Sequence, residues 1–230
     1  MTISVIIPTF NEAENIARLV TSIKDLRRNE IIETLVVDAA SSDATCSLAE
    51  QAGATVITTI QKSRACQMNI GAQQAKGEIL YFVHADVKLL PSFVDDITRT
   101  VVDGYVSGCY RYVFDSKRFL LKVNAYFTRF DAIMCRGGDQ TLFIQKKVFQ
   151  SLGGFNELYT IMEDYDFLIR LRKNYTFKII PKYIVVSARK YEANSWLRVQ
   201  IANLSVFVMF FFRRSPHEMK QIYKILLTYR

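Results

Sequence analysis

Ile3-Ser4-Val5-Ile6-Ile7-Pro8-Thr9-Phe10-Asn11-Glu12 begins with four β-branched residues in five and then turns polar. A short unbroken apolar run of this kind predicts a strand covered on both faces, as in a parallel sheet. The strand is expected to stop at Pro8, with the polar residues forming the loop after it. Asn11 with Glu14 has the spacing of a capping pair. Ile16, Leu19, Val20, Ile23 and Leu26 then keep helical spacing.

The same alternation continues outward from this stretch. Residues 34–37 predict a second strand ending in Asp38. A small polar loop, 39–45, leads to a helix that closes near Ala52. Residues 55–60 predict a third strand, 64–75 a helix closed by Gly77, and 79–83 a fourth strand ending at His84-Ala85-Asp86. Pro91 opens a helix to about Asp103. Strand and helix in strict alternation define an α/β fold, a mainly parallel sheet with helices on both faces. Ligands of such sheets bind beyond the carboxyl ends of the strands. Loops 8–12, 38–43, 62–64 and 84–86 therefore converge there. They bring Asp38, Asp43, Arg64 and Asp86, groups suited to a nucleotide and a metal ion.

After residue 103 the pattern changes. Residues 105–114 predict a mixed strand and 119–130 an aromatic-rich helix. Arg136-Gly137-Gly138-Asp139-Gln140 is a loop before a strand at 141–144. Residues 176–180 and 184–187 predict two further strands. Between them lies Ile161-Met162-Glu163-Asp164-Tyr165-Asp166-Phe167-Leu168-Ile169-Arg170. Helical spacing puts Phe167, Leu168 and Leu171 on an inward face and sets Glu163 and Asp164 at the helix start. Free N–H groups there favour negative charge. Such carboxylates can serve simply as capping charges, or as a general base at the mouth of a cleft.

Residues 196–212 are strongly apolar, with Arg198 near the start and Arg213-Arg214 just beyond the end. About 12 uninterrupted apolar residues make roughly 18 Å of helix, short of the ~30 Å of a bilayer core. The segment is expected either to lie on a membrane, with Trp196 and the arginines at headgroup level, or to be buried against the domain or a second copy. Pro216 opens a last helix with Met219, Ile222, Ile225, Leu226 and Tyr229 on one side.

The chain has 230 residues, half of them apolar, with 4 prolines and 9 glycines. That is a folded chain with a sizeable core. The net charge of +8 suits anionic ligands or acidic lipid surfaces. No zinc-finger, RNP or basic-helix pattern points to nucleic acid. Cys46, Cys66, Cys109 and Cys135 lie far apart, against a disulfide scaffold or a zinc site. The chain enters its first strand without a signal-peptide pattern, so a cytoplasmic location is expected.

The motifs resemble those of a known family. Ser4-Val5-Ile6-Ile7-Pro8-Thr9-Phe10-Asn11-Glu12 is similar to the opening of family 2 glycosyltransferases of the GT-A fold. Val37-Asp38 with Ser41-Ser42-Asp43-Ala44-Thr45 resembles their second nucleotide loop, with Ala39 where Gly is usual. His84-Ala85-Asp86 stands at their Asp-x-Asp metal motif, and His84 replaces its first aspartate. Gly153-Gly154-Phe155 followed by Glu163-Asp164 resembles the acceptor-side pattern and base motif. Arg64-Ala65-Cys66-Gln67-Met68-Asn69-Ile70-Gly71-Ala72 and Gly138-Asp139-Gln140 add a likeness to a bacterial branch, the radical-SAM/selenodomain-associated glycosyltransferases.

The resemblance implies a GT-A domain over 1–195, with a nucleotide-binding lobe at 1–103 and an acceptor lobe at 104–195, followed by a helical segment at 196–230. Pro8, Thr9, Asn11, Glu12, Asp38 and Asp43 would hold the base and ribose of a UDP- or GDP-sugar, and Arg64 would approach the diphosphate. Asp86 would bind Mg²⁺ or Mn²⁺, with Arg189 and Lys190 as candidate diphosphate contacts. Asp139 and Gln140 would line the sugar or acceptor side. Asp164, with Glu163 beside it, would be the base of an inverting transfer. The acceptor is unspecified, with a lipid-linked one among the candidates. Two other readings share a nucleotide-binding sheet: a sugar-phosphate nucleotidyltransferase and a non-catalytic nucleotide-sugar-binding protein. Pro8-Thr9-Phe10 occupies the place of the glycine-rich phosphate loop that the nucleotidyltransferase and a dinucleotide dehydrogenase would need.

Overall fold

The computed structural model of the chain describes residues 1–137 and 140–228. In chain order the elements are β1 (Ile3–Thr9), α1 (Ala13–Lys24), β2 (Ile31–Asp38), α2 (Thr45–Ala52), β3 (Thr55–Thr58), α3 (Arg64–Gln74), β4 (Ile79–Phe82) and α4 (Phe93–Val102). They continue with β5 (Ser107–Phe114), α5 (Phe119–Phe127), a 3₁₀ turn at Ile133–Cys135, β6 (Leu142–Gln145), α6 (Lys146–Ser151) and α7 (Glu163–Leu171). The last are β7 (Phe177–Val186), α8 (Lys190–Ala193), α9 (Trp196–Phe211) and α10 (Pro216–Leu226). Seven strands form one sheet in the order β3-β2-β1-β4-β6-β5-β7. β1, β2, β3 and β4 are parallel neighbours, β6 runs antiparallel to β4 and β5, and β7 is parallel to β5.

All seven residues of β1 are buried, because side chains alternate between two covered faces. Ile3, Val5 and Ile7 meet Ile16, Leu19 and Val20 of α1 and Phe93 and Ile97 of α4. Ile6, on the opposite face, meets Met68 of α3 and Phe167 and Leu171 of α7. This second layer sets the start of α7 beside the start of α3. α3 packs so closely on β1 that a Cβ at Gly71 would lie 2.5 Å from the Ile6 side chain. α7 is anchored by Phe167, which stacks within 4.8 Å of Phe155 and 5.3 Å of Phe149. Full burial of one such ring contributes about 2 kcal/mol.

Several boundaries differ from the sequence reading. β1 does not stop at Pro8 but runs to Thr9. Ile6 accepts from Val83 on the β4 side, and Thr9 accepts from Ala39 on the β2 side. Backbone groups alternate sides along a strand, so Pro8 faces β4 and lacks the N–H of the next rung. Pairing with β4 therefore ends at Ile6–Phe82, while pairing with β2 continues to Thr9–Asp38. That one-sided stop lets the chain after β4 turn away and opens a crevice between β1 and β4.

Residues 176–180 and 184–187 are not separate strands but one, β7. Ile180 pairs with Tyr110 and Tyr183 with Arg111, so Pro181 and Lys182 form an irregularity in the ladder. β7 is an edge strand, where proline is tolerated. α5 ends at Phe127 rather than Phe130, and α6 follows β6 directly where no helix is expected from the sequence. Tyr229, assigned to the apolar side of α10, lies outside the described residues. Of its companions, Met219 is buried but Ile225 is 71% exposed.

Candidate active site

Strand order reverses between β1 and β4, the place where open α/β sheets form ligand crevices. The loops after β1 and β2 are tied to each other there. Asp38 is fully buried and accepts from the Thr9 hydroxyl at 2.9 Å, the Ser41 N–H at 2.7 Å and the Ser41 hydroxyl at 2.5 Å. The Asn11 N–H donates to Ser41 Oγ, and Asn11 Oδ1 accepts from the Ser42 N–H. Asn11 holds φ at 54°, a left-handed conformation that Asn adopts more readily than most residues.

The expected Asn11–Glu14 capping pair does not form. Residue 12 occupies the cap position with no side-chain cap, and the start of α1 is served from the second loop. Thr45 Oγ1 accepts from the Glu12 N–H at 2.8 Å, and Asp43 Oδ2 from the Ala13 N–H at 3.2 Å. Asp43 also accepts from the Thr45 hydroxyl and the Thr45 N–H. Partial desolvation pushes its pKa up, but these hydrogen bonds outweigh it and the net shift is down. Asp43 is thus a clamp between two helix starts.

Sequence reasoning missed Gln67. Its buried amide donates to the Thr9 carbonyl at 2.8 Å and the Val37 carbonyl at 2.7 Å. One side chain of α3 thereby joins the carboxyl ends of β1 and β2. Nothing in the periodicity separates this glutamine from an exposed helical one. Phe10 was also missed as a site residue. It is 42% exposed at the crevice, with the Lys62 ammonium 4.2 Å from its ring centre.

The chain after β7 brings a cation to the first loop. Arg189, just past β7, meets Glu12 at 2.7 Å. The Glu12 hydrogen bond raises the pKa of the guanidinium against the opposing effect of burial, and the charges of Glu12, Asp86 and Glu14 add to it. Asp86, half-buried after β4, thus acts on the same guanidinium as the first loop. Lys190 turns away and bonds Tyr223 of α10.

The start of α7 supplies the second set of carboxylates. Gly153 and Gly154 have φ of 74° and 69°, and Met162 before the helix has φ of 68°. A Cβ on Gly154 would meet Asn69 Oδ1 at 2.7 Å. Asn69 clamps this turn, accepting from the Phe155 N–H and donating to the Phe155 carbonyl, each at 2.9 Å. Arg170 fastens the helix to it through the Leu152 carbonyl at 2.6 Å, the Gly154 carbonyl at 2.9 Å and the Asp166 carboxylate at 2.9 Å. Asp166 is therefore a structural partner. Glu163 is 2% exposed and pairs with Arg64 Nε at 3.5 Å, which joins the starts of α3 and α7.

Asp164 is half-buried and lines a cleft together with His84, Arg136, Gln140 and Thr141. Gln140 is 1% exposed, and neither polar atom of its amide has a partner among the described residues. Arg136 is buried and donates to the carbonyls of Thr128 and Phe130, each at 2.6 Å, and to the Cys109 sulfur. Burial pushes the Cys109 thiol up to about 11 against the opposing Arg136 charge. Asp139 and Gly138 lie outside the described residues. The candidate residues thus fall into two groups: Pro8 to Asp43 with Asp86, joined through the loops after β1 and β2 and Arg189, and Arg64, Glu163, Asp164 and Gln140 around the start of α7. His84, two residues before Asp86, links them.

Among the described residues no group of three or more His, Cys, Asp or Glu side chains comes together to hold a metal ion. A hard cation does not require one. Mg²⁺ is commonly held by one or two carboxylates together with substrate phosphates and waters, and Asp86 is a single carboxylate of the kind such a site would use.

The Glycosyl transferase family 2 model matches residues 4–174, from the second residue of β1 through α7. The chain belongs to that family. An uncharacterized glycosyltransferase of Haemophilus influenzae is 22% identical over 200 residues, covering 76% of this chain and 63% of that protein. The chain therefore spans less than two thirds of that relative's length. The fold is that of a mannosyltransferase from Pyrobaculum calidifontis solved with GDP-Man and Mn²⁺, with TM-score 0.68, 18% identity, and coverage of 96% of this chain and 68% of that one. It is also that of S. aureus TarS 1-349 solved with UDP-GlcNAc, with TM-score 0.69, 16% identity, and coverage of 97% and 70%.

Proposed function

We propose that the chain is an inverting glycosyltransferase that moves a sugar from a UDP- or GDP-sugar to an acceptor hydroxyl with the help of a divalent cation. The observation that carries this reading is the cleft in which Asp164 faces His84, two residues from Asp86. On this reading Asp164 serves the acceptor from within that cleft, and Asp86, two residues beyond its lining residue His84, serves the donor phosphates.

The loops around Pro8, Thr9, Asn11, Glu12, Asp38 and Asp43 receive the nucleoside, and Phe10 offers an exposed ring for its base. Mg²⁺ or Mn²⁺ on Asp86 would neutralise charge on the departing diphosphate. Arg189 and Arg64 add positive charge from either side of the crevice. The acceptor hydroxyl attacks the anomeric carbon on the face opposite the diphosphate, and Asp164 takes its proton. The carbon–oxygen bond to the nucleoside diphosphate breaks, the bonding pair leaves with the diphosphate, and the configuration inverts. Gln140 supplies polar atoms that have no partner among the described residues for the sugar or acceptor, and Asp139 is assigned to the same side. Glu163 holds the helix start through Arg64.

The same reading places the chain in the radical-SAM/selenodomain-associated branch that its sequence motifs resemble, with residues 1–195 as the catalytic unit, 196–230 as an appended segment and action in the cytoplasm. No helix among the described residues is long and apolar enough to cross a membrane. A panel of nucleotide-sugars incubated with Mn²⁺ and candidate acceptors tests the reaction. Release of UDP or GDP is expected. Release of pyrophosphate would assign a nucleotidyltransferase, and binding without turnover would assign a nucleotide-sugar-binding protein.

A further inference from the structure

α9 is mostly apolar, broken by Arg198, Gln200, Asn203 and Ser205, yet only one side of it is buried. Val199, Ala202 and Val206 face inward. Leu197, Ile201, Leu204, Val208 and Phe211 recur at intervals of four and three and are each between 43% and 62% exposed. That spacing makes one continuous outer stripe. At its start the stripe joins α5, since Trp196 lines a surface pocket with the exposed Phe119 and Leu120. Leu121 of α5 shares a core with Val199 and Ala202, and Trp196 Nε1 donates to Asn124 Oδ1 at 3.3 Å.

Within the two segments that carry this surface the charges have one sign, with Asp115, Asp131, Glu192 and Glu218 just outside them. Residues 116–130 carry Lys117, Arg118, Lys122 and Arg129 and no carboxylate. Residues 193–217 carry Arg198, Arg213 and Arg214 and again no carboxylate. We infer that α5 and α9 form a docking face for an anionic lipid bilayer, with the stripe in the acyl boundary and the basic residues at the phosphates. A second copy docked through the same face would bring like charges together. At 16 residues, α9 is about 24 Å long, which suits a helix lying on the surface and not one crossing it.

This inference rests on the proposed transferase reading for its consequence. A half-buried flank of α9 touches α7 and the turn before it: Phe207 lies 5.8 Å from the ring of Tyr165, the residue after Asp164, and Phe210 lies 5.5 Å from Tyr159. A bilayer seated on the outer stripe is one helix diameter, about 10 Å, from that contact. An acceptor hydroxyl on a lipid headgroup is thereby delivered to the cleft.

Flotation of the full chain with phosphatidylcholine vesicles, with and without phosphatidylglycerol, tests the face. Binding is expected only to the mixed vesicles. Leu204→Glu with Val208→Glu should lower it roughly tenfold or more. Arg213→Gln and Arg214→Gln should each lower it about fivefold, and high salt should weaken wild-type binding. Unchanged melting temperatures would confirm that the variants are folded, and the arginine pair stands alone if the charged stripe is not. Absence of flotation at low salt would overturn the proposal. So would a wild-type dimer in sedimentation that Leu204→Glu with Val208→Glu makes monomeric, which would give the face to a second copy. Nucleotide binding measured without vesicles tests the transferase reading separately.

Discussion

The two sides of the crevice are built differently. On the nucleotide side the polar groups are mutually bonded: Asp38 takes three hydrogen bonds, Asp43 clamps two helix starts and Gln67 joins two strand ends. On the α7 side, Gln140 buries an amide without a partner among the described residues, and α9 leaves an apolar stripe exposed. The side proposed to take the nucleotide is thus braced by its own hydrogen bonds, which would lower the ordering cost of binding. The α7 side presents groups that a substrate or surface would complete. Substitutions on the two sides should therefore fail in different ways.

The largest effect is expected at Asp164. Asp164→Asn keeps the size of the side chain and removes the basic oxygen, so single-turnover transfer should fall roughly 10²-fold or more. Glu163→Gln should cost less, because Glu163 pairs with Arg64 at the helix start. Asp166→Asn should cost least in transfer, since its carboxylate serves Arg170. Near wild-type turnover in Asp164→Asn would move the base elsewhere.

On the nucleotide side the losses should appear as stability and affinity. Gln67→Leu strips a buried donor from two carbonyls and should destabilise the fold by about 2 kcal/mol, read from a denaturant titration. Donor affinity should weaken with it while the pH dependence of transfer stays unchanged.

A smaller effect is expected at Asp43, where Asp43→Ala removes a cap worth about 1 kcal/mol. The folded carboxyl titrates below the ordinary value of 3.8. Its contribution is therefore complete above that value and lost as pH falls through the folded pKa. The stability gap between wild type and Asp43→Ala should close in strong acid, and a gap that widened there would contradict the clamp.

The nucleotide side was the more legible in sequence because each strand is a short apolar run ending in a polar loop. Asp38, Asp43 and Asp86 follow from that pattern alone. Their partners do not, because contacts such as Asp43 with Ala13 or Gln67 with Val37 join residues about thirty apart. Pro8 misled for a local reason, since its missing N–H faces only one neighbour. Pro181 misled in the same way, at an edge strand. α6 has six residues, too few for a helical period to emerge. The acidic start of α7 was legible, but the roles of Asn69 and Arg170 depend on carbonyls of a turn brought to them by the fold.

The proposed donor site uses Asp86 and does not use Asp164. Calorimetric titration of UDP and GDP into wild type, Asp164→Asn and Asp86→Ala, each with Mn²⁺ and with chelator, tests it most directly. The account predicts Mn²⁺-dependent binding of equal affinity in wild type and Asp164→Asn, and its loss in Asp86→Ala. Equal affinity with and without chelator in wild type, or undiminished Mn²⁺-dependent binding in Asp86→Ala, would contradict it.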